Sequence, residues 1–238
     1  MKLAIIPARG GSQRIPRKNI KEFCGKPMIA WSIETAIESA CFDRIIVSTD
    51  DTEIAQVAKE YGAEVPFMRP LTLSDHLTPT IPVMAHAIDW LEQHGVTPDA
   101  VCCIYATAPL VTSADLQQAL ETLTTFECDY VFTATSFEFP IQRAFKLNSQ
   151  NQIQMFYPEH MQTRSQDLER AYHDAGQFYW GRPTAWLNHI PIFSSTAMPQ
   201  LLPKYRVQDI DTPEDWVRAE LMFRFIKTIP YEQELNRG

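Results

Sequence analysis

Residues 2–19 read KLAIIPARGGSQRIPRKN, and this stretch decides the fold. Lys2–Ile6 is a short apolar, β-prone run that stops at Pro7, as is typical of a strand buried in a parallel sheet. The residues that follow are rich in glycine and in positive charge. The sequence therefore predicts a buried first strand that leads directly into a loop with functional side chains.

The pattern of the first strand returns further along the chain. Arg44–Ser48, Ala100–Tyr105 and Tyr130–Thr135 are also continuous β-prone runs. Stretches with helical periodicity cover residues 28–40, 52–61, 81–94 and 113–124, and we expect a further short strand between the second and the third. This alternation predicts a doubly wound α/β fold, with a mostly parallel sheet and helices on both faces. A length of 238 residues suits one domain over 1–238.

The regular alternation stops after about Phe137. Residues 138–175 hold short mixed pieces without a long apolar period, which is compatible with an inserted lobe, a lid, a dimerisation arm or an ordinary surface excursion. Beyond them, Gln177–Trp180 and Arg206–Ile210 are predicted strands, and Pro183–His189 is a predicted short helix.

The closing helix has the clearest start signal in the chain. Thr212 can cap it, Pro213 suits its first turn, and Asp215 completes a box-like T-x-x-D pattern. We therefore expect a helix to begin at Pro213.

Composition restricts the function classes. The net charge of −8 opposes binding to extended nucleic acid, yet residues 1–26 carry seven Lys and Arg against one acid. No apolar run is long enough for a membrane helix, and the N-terminal run does not have the form of a signal peptide. Five cysteines without CxxC spacing predict neither a disulfide framework nor a zinc site. We expect a cytoplasmic protein with a local site for a small anion.

The loop after the first strand is the candidate anion site. Gly10 and Gly11 allow backbone amides to turn inward as a nest, Ser12 adds a hydroxyl, and Arg9, Arg14, Arg17 and Lys18 add charge. Neither GxxxxGK[ST] nor GxGxxG is present, so the loop is not a P-loop and a Rossmann dehydrogenase is disfavoured. The alternative is a glycine turn with a solvated basic face.

Asp209 and Asp211 form a candidate metal site. Two carboxylates at positions i and i+2 of an extended segment point to the same side, and Mg²⁺ prefers such oxygen ligands beside a phosphate. Their spacing alone leaves open that Asp211 only flanks the start of the helix.

Several motifs together resemble one enzyme family, the cytidylyltransferases that activate nonulosonic acids such as sialic acid. The matching segments are IPARGGS at 6–12, IPRKN at 15–19, CFDRIIVSTD at 41–50, Arg69-Pro70 with Ser74-Asp75, and DIDTPED at 209–215. The resemblance implies a Rossmann-like nucleotidyltransferase fold that transfers CMP from CTP to the anomeric hydroxyl of a nine-carbon keto-sugar acid. It also implies a requirement for Mg²⁺, held by Asp209 and Asp211, and a homodimer formed through residues 138–175.

The same resemblance assigns roles to individual residues. Arg9, Lys18 and Asp211 are the implied catalytic groups, because they hold or polarise the triphosphate or bind the metal. The implied CTP contacts are Ala8, Arg9, Gly10, Gly11, Ser12, Lys18, Asn19, Arg69, Ser74 and Thr80. For Arg69, Ser74 and Thr80, the alternative is an ordinary structural role in the loop.

Departures from the sialic acid pattern bear on the sugar. Tyr105 stands where the family usually has a glutamine, and Gln13 replaces a usual lysine. FPIQRAF at 139–145 and DAGQFYWG at 174–181 resemble the branch that acts on pseudaminic acid, and this branch is the favoured reading. The implied sugar contacts are Tyr105, Gln142, Arg143, Arg164, Gln177 and Tyr179, with ordinary packing and surface charge as their alternative. N-acetylneuraminic, legionaminic or Kdo acid as the substrate, or an inactive sugar-nucleotide-binding protein, are the other readings.

Overall fold

A computed structural model of the chain describes residues 1–228. Residues 229–238, the end of the predicted domain over 1–238, lie outside the described part. The strands are β1 Lys2–Pro7, β2 Glu22–Phe23, β3 Lys26–Pro27, β4 Arg44–Ser48, β5 Ala100–Ile104, β6 Tyr130–Ser136, β7 Phe145–Leu147, β8 Ile153–Met155, β9 Tyr172–Gly181 and β10 Ala197–Leu201. The α-helices are α1 Met28–Glu38, α2 Thr52–Glu60, α3 Thr80–Gln93, α4 Ser113–Thr125, α5 Pro183–Leu187 and α6 Pro213–Thr228.

Six strands form the central sheet, in the order β10-β6-β9-β5-β1-β4. The pairs β1/β4, β1/β5 and β6/β10 are parallel, whereas β9 runs antiparallel to both of its neighbours, β5 and β6. The predicted α/β class with a mostly parallel sheet is confirmed. The antiparallel direction of β9 was not predicted.

The first strand divides the core into two layers. Its Ala4 and Ile6 pack on one face of the sheet among residues of α1, α2 and α4. Leu3 and Ile5 point to the other face and pack among residues of α3 and α5. Alternate side chains of a strand point to opposite faces, so a strand covered on both sides needs the continuous apolar run seen at 3–6.

Strand order creates a crevice at one edge of the sheet. The connection from β1 leads to β4 on one side, whereas the chain then crosses to β5 on the other side of β1. In open α/β sheets, ligands bind outside the carboxyl ends of the strands where the connections diverge in this way. The loop after β1 and the residues after β5 both lie at this point.

Two predicted strands differ from the structure. Arg206–Ile210 is not a strand, since Lys204–Arg206 forms a 3₁₀ turn and the edge of β6 is paired with β10 instead. The short strand expected between α2 and α3 is reduced to a single bridge between Glu64 and Ile46.

Helix α6 closes the described part of the chain. The predicted cap of α6 is confirmed, because the Asp215 amide donates to the Thr212 hydroxyl and the Thr212 amide and hydroxyl donate to the Asp215 carboxylate. Trp216 and Phe223 of α6 pack on Phe23 in a separate cluster.

Residues 138–171 hold the β7/β8 hairpin and three 3₁₀ turns between β6 and β9. Within residues 1–228, no helix is long and apolar enough to cross a membrane.

Candidate active site

Hydrogen bonds and ion pairs fix the loop after β1. The Asn19 amide donates to the Arg9 carbonyl at 3.0 Å and so closes the loop on itself. The Gly10 N–H donates to Asp50 at 2.9 Å, and Arg17 forms an ion pair with Asp51. A Cβ on Gly10 would lie 2.6 Å from an Asp51 oxygen, so this close approach requires glycine.

These contacts correct part of the predicted anion nest. The Gly10 N–H points to Asp50 rather than to the inside of the loop, because this carboxylate just beyond β4 accepts its hydrogen bond. The Arg17 guanidinium binds Asp51 and Glu53 at the start of α2 and is absent from the cleft wall. Asp51 also caps α2 by accepting from the Glu53 and Ile54 amides, so it anchors loop and helix together.

A cleft of about 440 Å³ opens between this loop and the ends of β1 and β5. Nine of the residues predicted from the sequence line it, namely Arg9, Ser12, Arg14, Lys18, Asn19, Arg69, Thr80, Tyr105 and Asp211. Ala8, Gly10, Gly11, Ser74 and Asp209 belong to the same segments but are not part of its wall. The fold thus brings together side chains from four separate stretches of the chain.

Lysine 18 connects the loop to the predicted metal segment. Its Nζ donates to the Ile210 carbonyl at 2.6 Å and lies 3.4 Å from an Asp211 oxygen. Arg14 is 2.8 Å from the other Asp211 oxygen. Partial desolvation of the Asp209 carboxylate raises its pKa, and the nearby Asp211 carboxylate adds to this shift, whereas Lys18 opposes it. A cation beside both carboxylates would relieve their repulsion.

The Arg69 side chain is buried in the opposite wall and only partly paired. Arg69 is 5% exposed, its Nε donates to the Ser74 hydroxyl, and its Nη2 is 3.7 Å from Asp50. Among residues 1–228, Nη2 has no hydrogen-bond partner. Burial lowers the pKa of the Arg69 guanidinium, while Asp50 opposes the shift and Arg9 adds to it. A buried donor of this kind needs an acceptor, and a ligand in the cleft can supply one.

Tyr105 stands at the end of β5 and forms the floor of the cleft. Its hydroxyl is hydrogen-bonded to the Thr80 hydroxyl at 2.9 Å, and its ring lies 5.4 Å from that of Tyr179. Burial raises the pKa of Tyr105 to about 12, so the phenol is neutral at physiological pH. It therefore offers the cleft a neutral hydroxyl group.

The other residues predicted to contact the sugar do not line this cleft. Gln142 and Arg143 donate to the Glu169 and Thr163 carbonyls within the excursion after β6, to which exposed Arg164 also belongs. Gln177 is buried, and its amide donates to the Arg206 carbonyl at 2.5 Å. Tyr179 is also buried, directly behind Tyr105. A role of these residues in sugar binding stays a prediction.

Sequence reasoning overlooked part of the wall. His76, Thr78 and Thr107 line the cleft, and so does Asp75, which belongs to a matching motif but had been given no role. Asp75 is held by the Leu77 and Thr78 amides and by the Thr78 hydroxyl, a turn that the D-x-x-T spacing could have indicated. Thr107 could have been found from its position just beyond a buried parallel strand.

Comparison with known proteins identifies the family. The family model described as "Cytidylyltransferase" matches residues 3–233. The chain belongs to the cytidylyltransferase family. It is 49% identical over 222 residues to a pseudaminic acid cytidylyltransferase of Campylobacter jejuni, with 93% of this chain and 96% of the relative covered.

More distant relatives also match nearly the whole length of this chain. A CMP-N,N'-diacetyllegionaminic acid synthase of Legionella pneumophila is 31% identical, covering 92% of this cytidylyltransferase and 94% of the relative. A solved CMP:2-keto-3-deoxy-manno-octonic acid synthetase complexed with CTP superimposes with a TM-score of 0.67 at 17% identity, covering 96% of this chain and 99% of that one. At that identity, the likeness supports the fold alone.

The Arg17–Asp51 pair predicts a pH dependence of stability. The Arg17 guanidinium, together with the helix amides, lowers the pKa of Asp51 to about 2. A lowered pKa stabilises the folded protein above the ordinary aspartate pKa, and this stabilisation is lost as the pH falls towards 2. We expect Arg17→Met to reduce the free energy of unfolding of this cytidylyltransferase by about 1 kcal/mol at pH 7, because the pair is partly solvated.

Urea denaturation at several pH values measures this effect. The difference between the wild type and Arg17→Met should shrink between about pH 4 and pH 2. Lys59→Met, on the exposed side of α2, is the control and should change little at any pH. A wild-type advantage that does not vary with pH would contradict the role of Asp51.

Proposed function

We propose that this chain transfers CMP from CTP to the anomeric hydroxyl of pseudaminic acid and releases pyrophosphate. The observation that carries the proposal is a cleft with Arg9, Lys18 and Arg69 in its walls and the Asp211 carboxylate at its edge. Such a cleft suits a nucleoside triphosphate whose α-phosphate is attacked. The 49% identity over nearly the whole chain to pseudaminic acid cytidylyltransferase supports both the reaction and the sugar.

The loop after β1 is the proposed triphosphate site. Arg9 and Lys18 neutralise phosphate oxygens, Ser12 donates its hydroxyl, and Asn19 keeps the loop closed through the Arg9 carbonyl. Catalysis then consists mainly of positioning the reactants and of stabilising the charge that develops at phosphorus. The unpartnered Nη2 of Arg69 is a donor for an acceptor atom of the bound nucleotide.

Asp209 and Asp211 fit a magnesium ion that is shared with the substrate. No group of three His, Cys, Asp or Glu side chains suitable for a metal occurs within residues 1–228. Mg²⁺ typically binds one or two carboxylates together with substrate phosphates, and it keeps several waters. The Asp211 carboxylate adds to the raised pKa of Asp209, and a cation beside both carboxylates would remove this repulsion. When bound, Mg²⁺ would neutralise phosphate charge and lower the pKa of the attacking hydroxyl.

Tyr105 is the proposed contact to the sugar acid. It lines the cleft and offers a neutral hydroxyl. Relatives described as acting on other nonulosonic acids are only 30–33% identical to this chain, including N-acylneuraminate cytidylyltransferases of Danio rerio and Oncorhynchus mykiss. Pseudaminic acid is therefore the preferred substrate among the sugar acids of this family.

The excursion after β6 is the proposed homodimer surface. Phe139 and Ile153 are 77% and 70% exposed, and Phe145, Leu147, Phe156 and Met161 are each more than half exposed. Apolar side chains concentrated in one surface segment mark an interaction site more often than scattered ones do. A second copy of the chain is the simplest partner, because closed symmetric dimers are the commonest oligomers. We propose that the dimer acts in the cytoplasm.

The proposed reaction predicts which sugar acids support turnover. Pyrophosphate release from CTP and Mg²⁺ should occur with pseudaminic acid, and at least about tenfold more slowly with N-acetylneuraminic, legionaminic or Kdo acid. A reaction without sugar is the control. Preferential release with another acid would keep the reaction and overturn the sugar assignment. Binding of CTP without turnover for any acid would favour an inactive sugar-nucleotide-binding protein.

The second prediction concerns the metal segment. Asp211→Asn should lower kcat by about 100-fold or more, because a charged ligand beside the reacting phosphate is lost. CTP should still bind, as measured by isothermal titration calorimetry. Glu214→Gln, an exposed acid at the start of α6, is the matched control and should retain wild-type turnover. Wild-type turnover in Asp211→Asn would remove this residue from the metal site.

The third prediction concerns assembly. Light scattering of the wild type should give twice the chain mass of 27.3 kDa. Ile153→Lys should give the monomer, because a charge cannot be buried in an apolar interface without a large cost. Val217→Lys, at an exposed position of α6, is the control and should remain dimeric. A monomeric wild type, or dissociation by the control alone, would overturn the proposed surface.

A further inference from the structure

Two buried isoleucines place Arg14 opposite Asp211. Ile15 and Ile210 are 3% and 1% exposed, and both belong to the buried cluster that contains Trp216 of α6. Arg14 comes directly before Ile15, and Asp211 comes directly after Ile210. Because one core fixes both isoleucines, the charged side chains beside them reach each other although they come from opposite ends of the chain.

The Asp211 carboxylate is paired through both of its oxygens. Arg14 Nη2 lies 2.8 Å from Oδ2, and Lys18 Nζ lies 3.4 Å from Oδ1. The Asp211 backbone is held separately, since its N–H donates to the Asp215 carboxylate at 3.2 Å. The Asp211 side chain can therefore exchange a partner without movement of the segment that carries it.

The two cations differ in how firmly they are held. Lys18 also donates to the Ile210 carbonyl at 2.6 Å, and only 20% of its side chain is exposed. The Arg14 side chain, by contrast, is largely exposed to solvent. A solvated ion pair contributes little to stability, so the guanidinium of Arg14 can exchange Asp211 for another anion at small cost.

These charges bear on metal binding. A divalent cation at Asp211 would meet the positive charges of Arg14 and Lys18 at close range, and like charges at such a distance repel each other even in water. A triphosphate changes this balance. Arg14 lines the same cleft as Arg9, and phosphate oxygens accept a guanidinium in paired, charge-assisted hydrogen bonds.

We propose that Arg14 is an exchangeable counter-ion of Asp211: a divalent cation competes with Arg14 for this carboxylate, and the phosphates of CTP decide the competition by binding the guanidinium. The inference rests on the proposed function, which supplies the triphosphate and the metal role of Asp211. Arg14 thereby couples the binding of metal and nucleotide, and such a coupling is reciprocal.

Binding of Mn²⁺ without CTP tests the competition directly. Mn²⁺ suits the same oxygen ligands as Mg²⁺, and electron paramagnetic resonance measures the free ion. We expect Arg14→Met to raise the affinity for Mn²⁺ about tenfold, because a positive charge beside the carboxylate is lost. Arg14→Lys keeps the charge and should bind Mn²⁺ as weakly as the wild type. Lys59→Met, which removes an exposed charge on α2, is the matched control and should also match the wild type.

Binding of CTP without a divalent cation should change in the opposite direction. In the presence of EDTA, titration calorimetry should show CTP binding to Arg14→Met about fivefold more weakly than to the wild type, because a phosphate contact is lost. A purely structural role of Arg14 would weaken the binding of both ligands together. Opposite shifts for Mn²⁺ and CTP therefore support the exchange.

A double variant locates the effect at Asp211. In an Asp211→Asn background, Arg14→Met should give no gain in Mn²⁺ affinity, because the carboxylate for which the two cations compete is absent. A gain that persists in this background would overturn the inference. Unchanged Mn²⁺ affinity in Arg14→Met, or weaker binding of both ligands, would overturn it as well.

The Mn²⁺ measurement is independent of turnover. It uses neither CTP nor a sugar acid, so it tests the competition at Asp211 even in a protein that releases no pyrophosphate. Failure of the proposed function would instead be seen in the wild type alone, as absence of pyrophosphate release with every acid.

Discussion

The pairing of β1 on both of its edges is the constraint on which the rest of the molecule depends. Parallel strands β4 and β5 flank it, and helices cover both of its faces. The chain that leaves β1 at Pro7 therefore has to turn outward over the carboxyl ends of the strands, at the point where the connections diverge. Apolar burial of the four residues Leu3–Ile6 thus places the basic loop against Tyr105 and against the segment with Asp211.

The cleft combines fixed and exchangeable ion pairs. Arg17 is held by Asp51 and Glu53, so it shapes the loop without facing the ligand. Arg14 and Asp211 are 65% and 36% exposed, and solvated pairs of this kind contribute little to stability. Arg14 can therefore leave Asp211 for a phosphate at small cost, while the buried Arg69 cannot leave its wall. An acidic protein thus presents a local cationic site that is organised before the ligand binds.

Local signals allowed much of the wall formed by the loop after β1 to be predicted. Arg9 and Lys18 were predicted from the charge of this loop, Asn19 from the resemblance of the IPRKN segment, and Asp211 from its spacing to Asp209 and from the same resemblance, and all four line the cleft. The fate of 206–210 was not predictable in this way. An edge strand tolerates proline, so β10 could form at 197–201 despite Pro199 and take the available edge of β6. Arg206 instead pairs with Asp115 at the start of α4 through two hydrogen bonds.

The positions of residues 174–179 depend on long-range register, which local sequence signals do not show. Residues five apart on a regular strand point to opposite faces, so nothing in DAGQFY at 174–179 indicates that Asp174 and Tyr179 touch. Only a bulge of β9 opposite Thr133 brings them together. The loop after β1 is encoded locally, because Asn19 closes it on the carbonyl of Arg9, only ten residues away. Tyr105 on the cleft floor is instead held by this irregular part of β9, since its N–H donates to the Gln177 carbonyl and its ring packs on Tyr179. Changes in that irregularity can therefore shift Tyr105 without disturbing the loop after β1.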